Sequence, residues 1–122
     1  MNLYNKDLLL LSDFSYWQSR KFYTRLMEKF INGIIDGHKF EEKFYQIWRL
    51  NRGKEYSTKE ILKINNENLI ESRGFSTIIS NLFTDCDIFE PDSSLREDYE
   101  VSEIELKNCV KKTLSEIKYR YP

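Results

Sequence analysis

Large apolar side chains return every three or four residues through most of this chain, and turn formers stand where the rhythm breaks. Tyr23, Met27, Phe30 and Ile34 make one run, opening from about Trp17. Phe40, Phe44, Ile47 and Trp48 make a second, with Asn51 in the same register. Phe75, Ile78, Ile79, Leu82, Phe83, Cys86 and Phe89 make a third, and Leu106, Val110, Leu114, Ile117 and Tyr121 a fourth. Such spacing puts each set on one face of a helix, and no segment reads convincingly as a strand. A chain of 122 residues has enough surface to bury for one core but not two. The expected fold is all-α: an antiparallel four-helix bundle, with room for one short additional helix, in a single domain spanning residues 1–122.

The breaks set the boundaries. Asn32-Gly33 stops the first run, because glycine after a helix takes a left-handed conformation without steric cost. Asp36 suits the N-cap of the second helix, and Arg52-Gly53 ends it. Ser57 and Glu60 have capping-box spacing before Ile61, Leu62 and Ile64, which predicts a short helix followed by a loop at Asn65-Asn66. Pro91 closes the third long helix and opens a loop over residues 90–101. The last helix has the best-marked start, with Ser102 and Glu105 as a capping box and Val101 and Leu106 in hydrophobic-staple positions. Residues 1–16, with Leu3 and Leu8 to Leu11, read as an N-terminal arm or a short helix.

Several function classes fall away. No apolar run approaches the ~20 residues of a membrane span, and Leu8 to Leu11 lacks the flanks of a signal peptide. Two cysteines, Cys86 and Cys109, are too few for a disulfide scaffold, lack metal-ligand spacing, and fit a reducing cytoplasm as buried core thiols. His38 is the sole histidine, so no nucleophilic or metal constellation assembles around it; a surface position is expected. Basic residues are spread along the helices without interleaved aromatics, which argues against direct nucleic-acid binding. No catalytic residue, cofactor or metal is expected. Of the aromatics, Trp17, Tyr45 and Tyr99 are candidates for exposure.

The remaining oddity is electrostatic. Residues 85–105 carry nine acids, Asp85, Asp87, Glu90, Asp92, Glu97, Asp98, Glu100, Glu103 and Glu105, against the one base Arg96; the other 101 residues hold 18 Lys and Arg against 11 Asp and Glu. A net of −1 thus hides a polarised chain. A helix dipole accounts for Glu103 and Glu105 at a helix start, but Asp85 and Asp87 stand near a helix C-terminus, where anions are disfavoured. Uncompensated anions there point to a partner. The segment lacks the glycine and terminal glutamate of a calcium loop. Asp92 with Glu105 and Lys107 imitates the acid and E-x-K elements of metal-dependent nucleases, yet Glu105 to Lys107 falls inside a strongly capped helix rather than on a strand. A basic protein surface fits better, since clustered carboxylates imitate the phosphates that nucleic-acid-binding proteins grip. A general helical adaptor for some other basic protein is the remaining alternative.

The stretch Leu82-Phe83, Asp87, Phe89-Glu90-Pro91-Asp92, Arg96 and Tyr99-Glu100-Val101, followed by an acidic helix start and a Lys-rich last helix, resembles the C-terminal half of the colicin D immunity protein family, which are bacterial self-protective proteins. Phe30-Ile31-Asn32-Gly33, Asp36, Phe40, Glu42 and Phe44 resemble its first helical hairpin. The resemblance implies a four-helix bundle in the cytoplasm that forms a heterodimer with the C-terminal nuclease domain of a cognate toxin, typically a tRNA-cleaving enzyme, and covers its active site with acidic side chains. Carried onto matching positions, it makes Asp87, Glu90 and Asp92 the main contacts. Charge alone extends a rim to Asp85, Glu97, Asp98 and Glu100, with Tyr99 as an anchor.

Overall fold

The computed structural model describes residues 5–53 and 69–122, the side chains of residues 5–11 and 69 excepted. The expected capping box at Ser57 and Glu60, its short helix, the Asn65-Asn66 loop and the side chains of Leu3 and Leu8 to Leu11 lie outside the described residues. Among the described residues there are five helices: α1 (Asn5–Gln18), α2 (Arg20–Ile31), α3 (Gly37–Gly53), α4 (Leu69–Asp87) and α5 (Glu103–Arg120). The fold is all-α, and among the described residues the sole β feature is an isolated parallel bridge between Phe89 and Val101.

Several boundaries differ from the sequence expectation, and α4 ends at Asp87, so Phe89, expected on its stripe, lies beyond the helix. Trp17 belongs to α1 rather than opening α2, because the chain kinks at Ser19: its N–H still reaches back to the carbonyls of Ser15 and Tyr16, each at 3.1 Å. The Ser19 hydroxyl does not cap α2; it donates to Asn51 Oδ1 at 2.8 Å, and Asn51 in turn donates to the buried Tyr23 hydroxyl at 2.7 Å. This polar strap fixes α2 against α3. Ile34, expected on the first stripe, is 69% exposed. Gly33, with φ of +75°, donates to the Phe30 carbonyl, while Ile34 donates to that of Lys29. This pair of bonds is a Schellman stop, which carries the chain off the helix before Ile34 could pack.

Elsewhere the stripes become the core. Tyr23, Met27, Phe30, Phe40, Phe44, Phe75, Ile79, Leu82, Leu106 and Val110 are fully buried, with Leu26, Ile78, Leu114 and Ile117 close behind. Its centre is aromatic: Phe30 stacks on Phe40 at 4.9 Å, Phe40 on Phe44 at 6.0 Å, and Trp48 on Phe83 at 4.4 Å. Trp17 is buried rather than exposed, edge-on to Phe75 and Tyr121, with the Arg20 guanidinium 4.2 Å above its ring. Tyr45 is half-buried against Phe44 and Phe83. α4 starts six residues before Phe75; exposed Ile70 and small buried Ser72 and Ser76 kept its first turns out of the apolar pattern. α2 and α3 pack together, α5 lies against α2 and α4, and α1 runs mainly along α4.

Candidate functional site

The turn over residues 32–36 and the connection over residues 88–102 sit at the same end of the bundle, and one contact joins them. The Gly37 N–H donates to Glu103 Oε1, so the first acid of α5 satisfies an orphan donor at the start of α3. Asp36 meets another, accepting from the Lys39 N–H at 2.8 Å as the sequence predicts. Space at Gly37 is tight: a Cβ there would lie 2.7 Å from Phe89 Cζ and 3.0 Å from Glu103 Oε1, so those side chains would have to shift.

The connection is a closed loop. Val101 donates to the Ile88 carbonyl at 2.7 Å and Glu90 to the Val101 carbonyl at 3.0 Å, pinning its two ends. Buried Phe89 and half-buried Val101 plug it into the core. Inside, Arg96 donates to the carbonyls of Glu90 at 2.9 Å and Pro91 at 3.1 Å. The loop's one cation is therefore engaged with backbone. Asp92 accepts from the Ser94 N–H and hydroxyl at 2.9 and 2.7 Å, Glu100 accepts from the Glu97 N–H at 2.9 Å, and Glu105 completes the capping box with Ser102. The bonds from Ser94 and from Ser102 hold the carboxyls of Asp92 and Glu105 below their ordinary range.

These bonds divide the predicted residues. Asp87, Asp92, Glu97, Asp98 and Tyr99 are exposed; Glu90, Asp85 and Glu100 are half-buried. Tyr99 stands 70% exposed at the loop's outer edge. Asp87 and Glu90 share one environment with Glu41 of α3, whose carboxyl is pushed up first by burial and then by those two acids, with His38 pulling it back. Burial, followed by Glu41, Cys86 and Asp87, raises the Tyr45 phenol as well. Asp85 is not part of that group. It lies two residues from Asp87, on another side of α4 toward Cys109 of α5, and burial alone raises its carboxyl. The ion pairs among the described residues, Lys39 with Glu42, Lys118 with Glu28 and Arg120 with Glu116, all lie outside the acidic segment.

His38 is exposed, as the sequence reading expects; Glu41 was missed in the sequence, where periodicity shows which face of a helix is apolar but not which neighbour its flank meets. The one hint was Glu41's place on the border of the stripe, beside Phe40 and three residues before Phe44. Of the cysteines, Cys86 is buried, whereas Cys109 is only half-buried, because its position on α5 falls beside the stripe rather than on it.

The nuclease alternative gains no geometry. Glu105 folds back onto the N-cap of its own helix, while Lys107 places its ammonium 5.3 Å over the Phe30 ring. Two residues apart on a helix, they point to different sides. No group of three or more His, Cys, Asp or Glu able to hold a metal ion occurs among the described residues, and none of their helices is long and apolar enough to cross a membrane.

A family model described as bacterial self-protective colicin-like immunity matches residues 19–117, from the α1–α2 kink to the last turns of α5. No curated protein and no solved structure matches the chain significantly.

Proposed function

The chain belongs to the bacterial self-protective colicin-like immunity family, and we propose that it protects its cell by binding, in the cytoplasm, the C-terminal nuclease domain of a cognate toxin, a tRNA-cleaving domain in the family it resembles, and covering its active site. The partner surface is the acidic end of the bundle. Asp87, Glu90 and Asp92 take the central contacts, Glu97, Asp98 and Glu100 form the rim on one side and Asp85 on the other, and Tyr99 supplies an aromatic anchor.

One observation carries this reading: carboxylates from α4 and the following loop stand at a single end of the bundle without an ion pair among the described residues. The loop's own Arg96 is turned to backbone carbonyls. A nuclease holds polynucleotide phosphates with Lys and Arg, and such a cradle accepts any rigid array of anions at similar spacing. The half-buried position of Glu90 gives one carboxylate that a partner can desolvate fully, where a charged pair is worth most.

Co-expression provides the test. Cells producing the toxin domain are expected to survive with the wild-type chain and to die with the Asp87→Lys, Glu90→Lys variant, provided that variant accumulates as a folded helical protein. Full protection by the folded variant would contradict the assignment.

A further inference from the structure

The positive counterpart of the acidic end lies on the other hairpin. α2 and α3 leave between them a groove of about 310 Å³ lined by Phe22, Arg25, Leu26, Lys29, Lys43 and Ile47. Phe22 is 62% exposed beside it. Several cations elsewhere on these helices and on α5 are engaged: Arg20 over Trp17, Arg52 over Trp48, Lys39 with Glu42, Lys118 with Glu28, Lys107 over Phe30; Lys21, Lys111 and Lys112 make no ion pair among the described residues but do not line the groove. Arg25, Lys29 and Lys43 have no ion pair among the described residues, and the nearby acids Glu28 and Glu42 are taken by Lys118 and Lys39. Three unmatched cations and three apolar side chains thus face one depression.

We infer that this groove receives the acidic loop of a second copy of the chain. The loop over residues 88–102 offers the complement in both chemistries: Glu97 and Asp98 exposed without ion pairs among the described residues, and Leu95 and Tyr99 exposed at 66% and 70% beside them. Apolar tips flanked by carboxylates match an apolar floor flanked by ammonium and guanidinium groups. Because groove and loop are different surfaces, the contact is head-to-tail, each copy using its groove for one neighbour and its loop for another. It is also weak and salt-sensitive, since the charges on both sides are solvent-exposed. The association does not depend on toxin binding. If the loop is the toxin surface proposed above, self-association covers it in the free protein and the toxin displaces the second copy.

Sedimentation of the full chain tests this. At low salt the mean mass is expected to rise from the 14.8 kDa of the monomer with increasing concentration and to return to it at ~0.5 M salt. Lys29→Glu with Lys43→Glu removes the groove, and Glu97→Lys with Asp98→Lys removes the loop. Each alone is expected to weaken association by about tenfold or more. Mixing the two double variants sets the intact loop of the Lys29→Glu, Lys43→Glu molecules against the intact groove of the others, and the two reversed surfaces against each other, so association is expected to return in the mixture. A wild-type chain that stays monomeric at low salt, association unaffected by either pair of changes, or mixed variants that fail to pair would each overturn the inference. Toxin inhibition by the groove variant is a separate readout. Its retention with loss of self-association separates the two surfaces, whereas self-association lost in both double variants without any effect of either on toxin binding sinks the toxin assignment and leaves this one standing.

Discussion

The aromatic centre of the bundle and the loop at its acidic end are held together by different physics. Phe30, Phe40, Phe44, Tyr23 and Phe75 are fully buried and touch one another ring to ring. Their stability comes from apolar area removed from water and from close packing. The loop over residues 88–102 buries little besides Phe89. Its shape comes from one bridge, Arg96 on two carbonyls, and Asp92 and Glu100 bonded to backbone N–H groups. Charge therefore has two uses within a few residues. Asp92, Arg96, Glu100 and Glu103 shape the loop, while Asp87, Glu97 and Asp98 make no side-chain hydrogen bond or ion pair among the described residues and are available to a partner.

That contrast can be broken by graded substitutions. The largest effect belongs to Phe40→Ala, which removes a ring stacked on two neighbours and is expected to cost about 3–5 kcal/mol in denaturant unfolding, approaching the whole stability of a small domain. Gly37→Ala acts where the two regions meet. Its new methyl group crowds Phe89 and Glu103, and a loss of about 1–3 kcal/mol is expected, with faster amide exchange at Val101 reporting that the loop has been lifted. Arg96→Ala should cost about 1 kcal/mol globally, and the exchange protection of Glu90 and Val101 should fall more than that of Phe40. Equal losses in core and loop would show that the loop is not separately held.

Glu97→Gln with Asp98→Asn sharpens the comparison from the other side. Stability should stay within about 0.5 kcal/mol of wild type, while toxin association slows and loses part of its salt dependence. A large stability change would mean that these acids are structural.

The smallest expected effect is in pH dependence, where the two uses of charge carry opposite signs. Asp92 and Glu105 release their protons more readily folded than unfolded, so the stability they add is lost as pH falls below the ordinary carboxylate range. Glu41 holds its proton more tightly folded, owing to burial and then to Asp87 and Glu90, so its ionisation weakens the fold as pH rises through its raised value. Glu41→Gln should thus give a small gain at neutral pH that vanishes at acid pH. A cationic partner should also draw a proton from wild-type Glu41 at mildly acid pH, read as a buffer-dependent heat of binding that the variant lacks.

The four stripes, the Gly33 stop, the Asp36 cap, the capping box and the acidic segment were all legible in the sequence, because each rests on interactions local in the chain. What was not legible depended on which surfaces meet. The helix was expected to open from about Trp17, but the chain kinks at Ser19, whose hydroxyl goes to Asn51, 32 positions away. Glu103 reads as a dipole-complementing acid, yet it caps a different helix at Gly37. The sequence ranked the eight predicted partner residues only by family resemblance and by charge; tertiary hydrogen bonds and the turn of α4 separate Asp92 and Glu100 from Asp87, set Asp85 apart, and bring in Glu41.

The most direct test of the acidic end as the partner surface is the dissociation rate of the toxin-domain complex formed by the Asp87→Asn, Glu90→Gln variant, which leaves the loop's hydrogen bonds in place. Truncating one side of buried charge pairs costs roughly 2–5 kcal/mol, so release faster than wild type by about thirtyfold or more is predicted. A folded variant that dissociates at the wild-type rate would contradict the account.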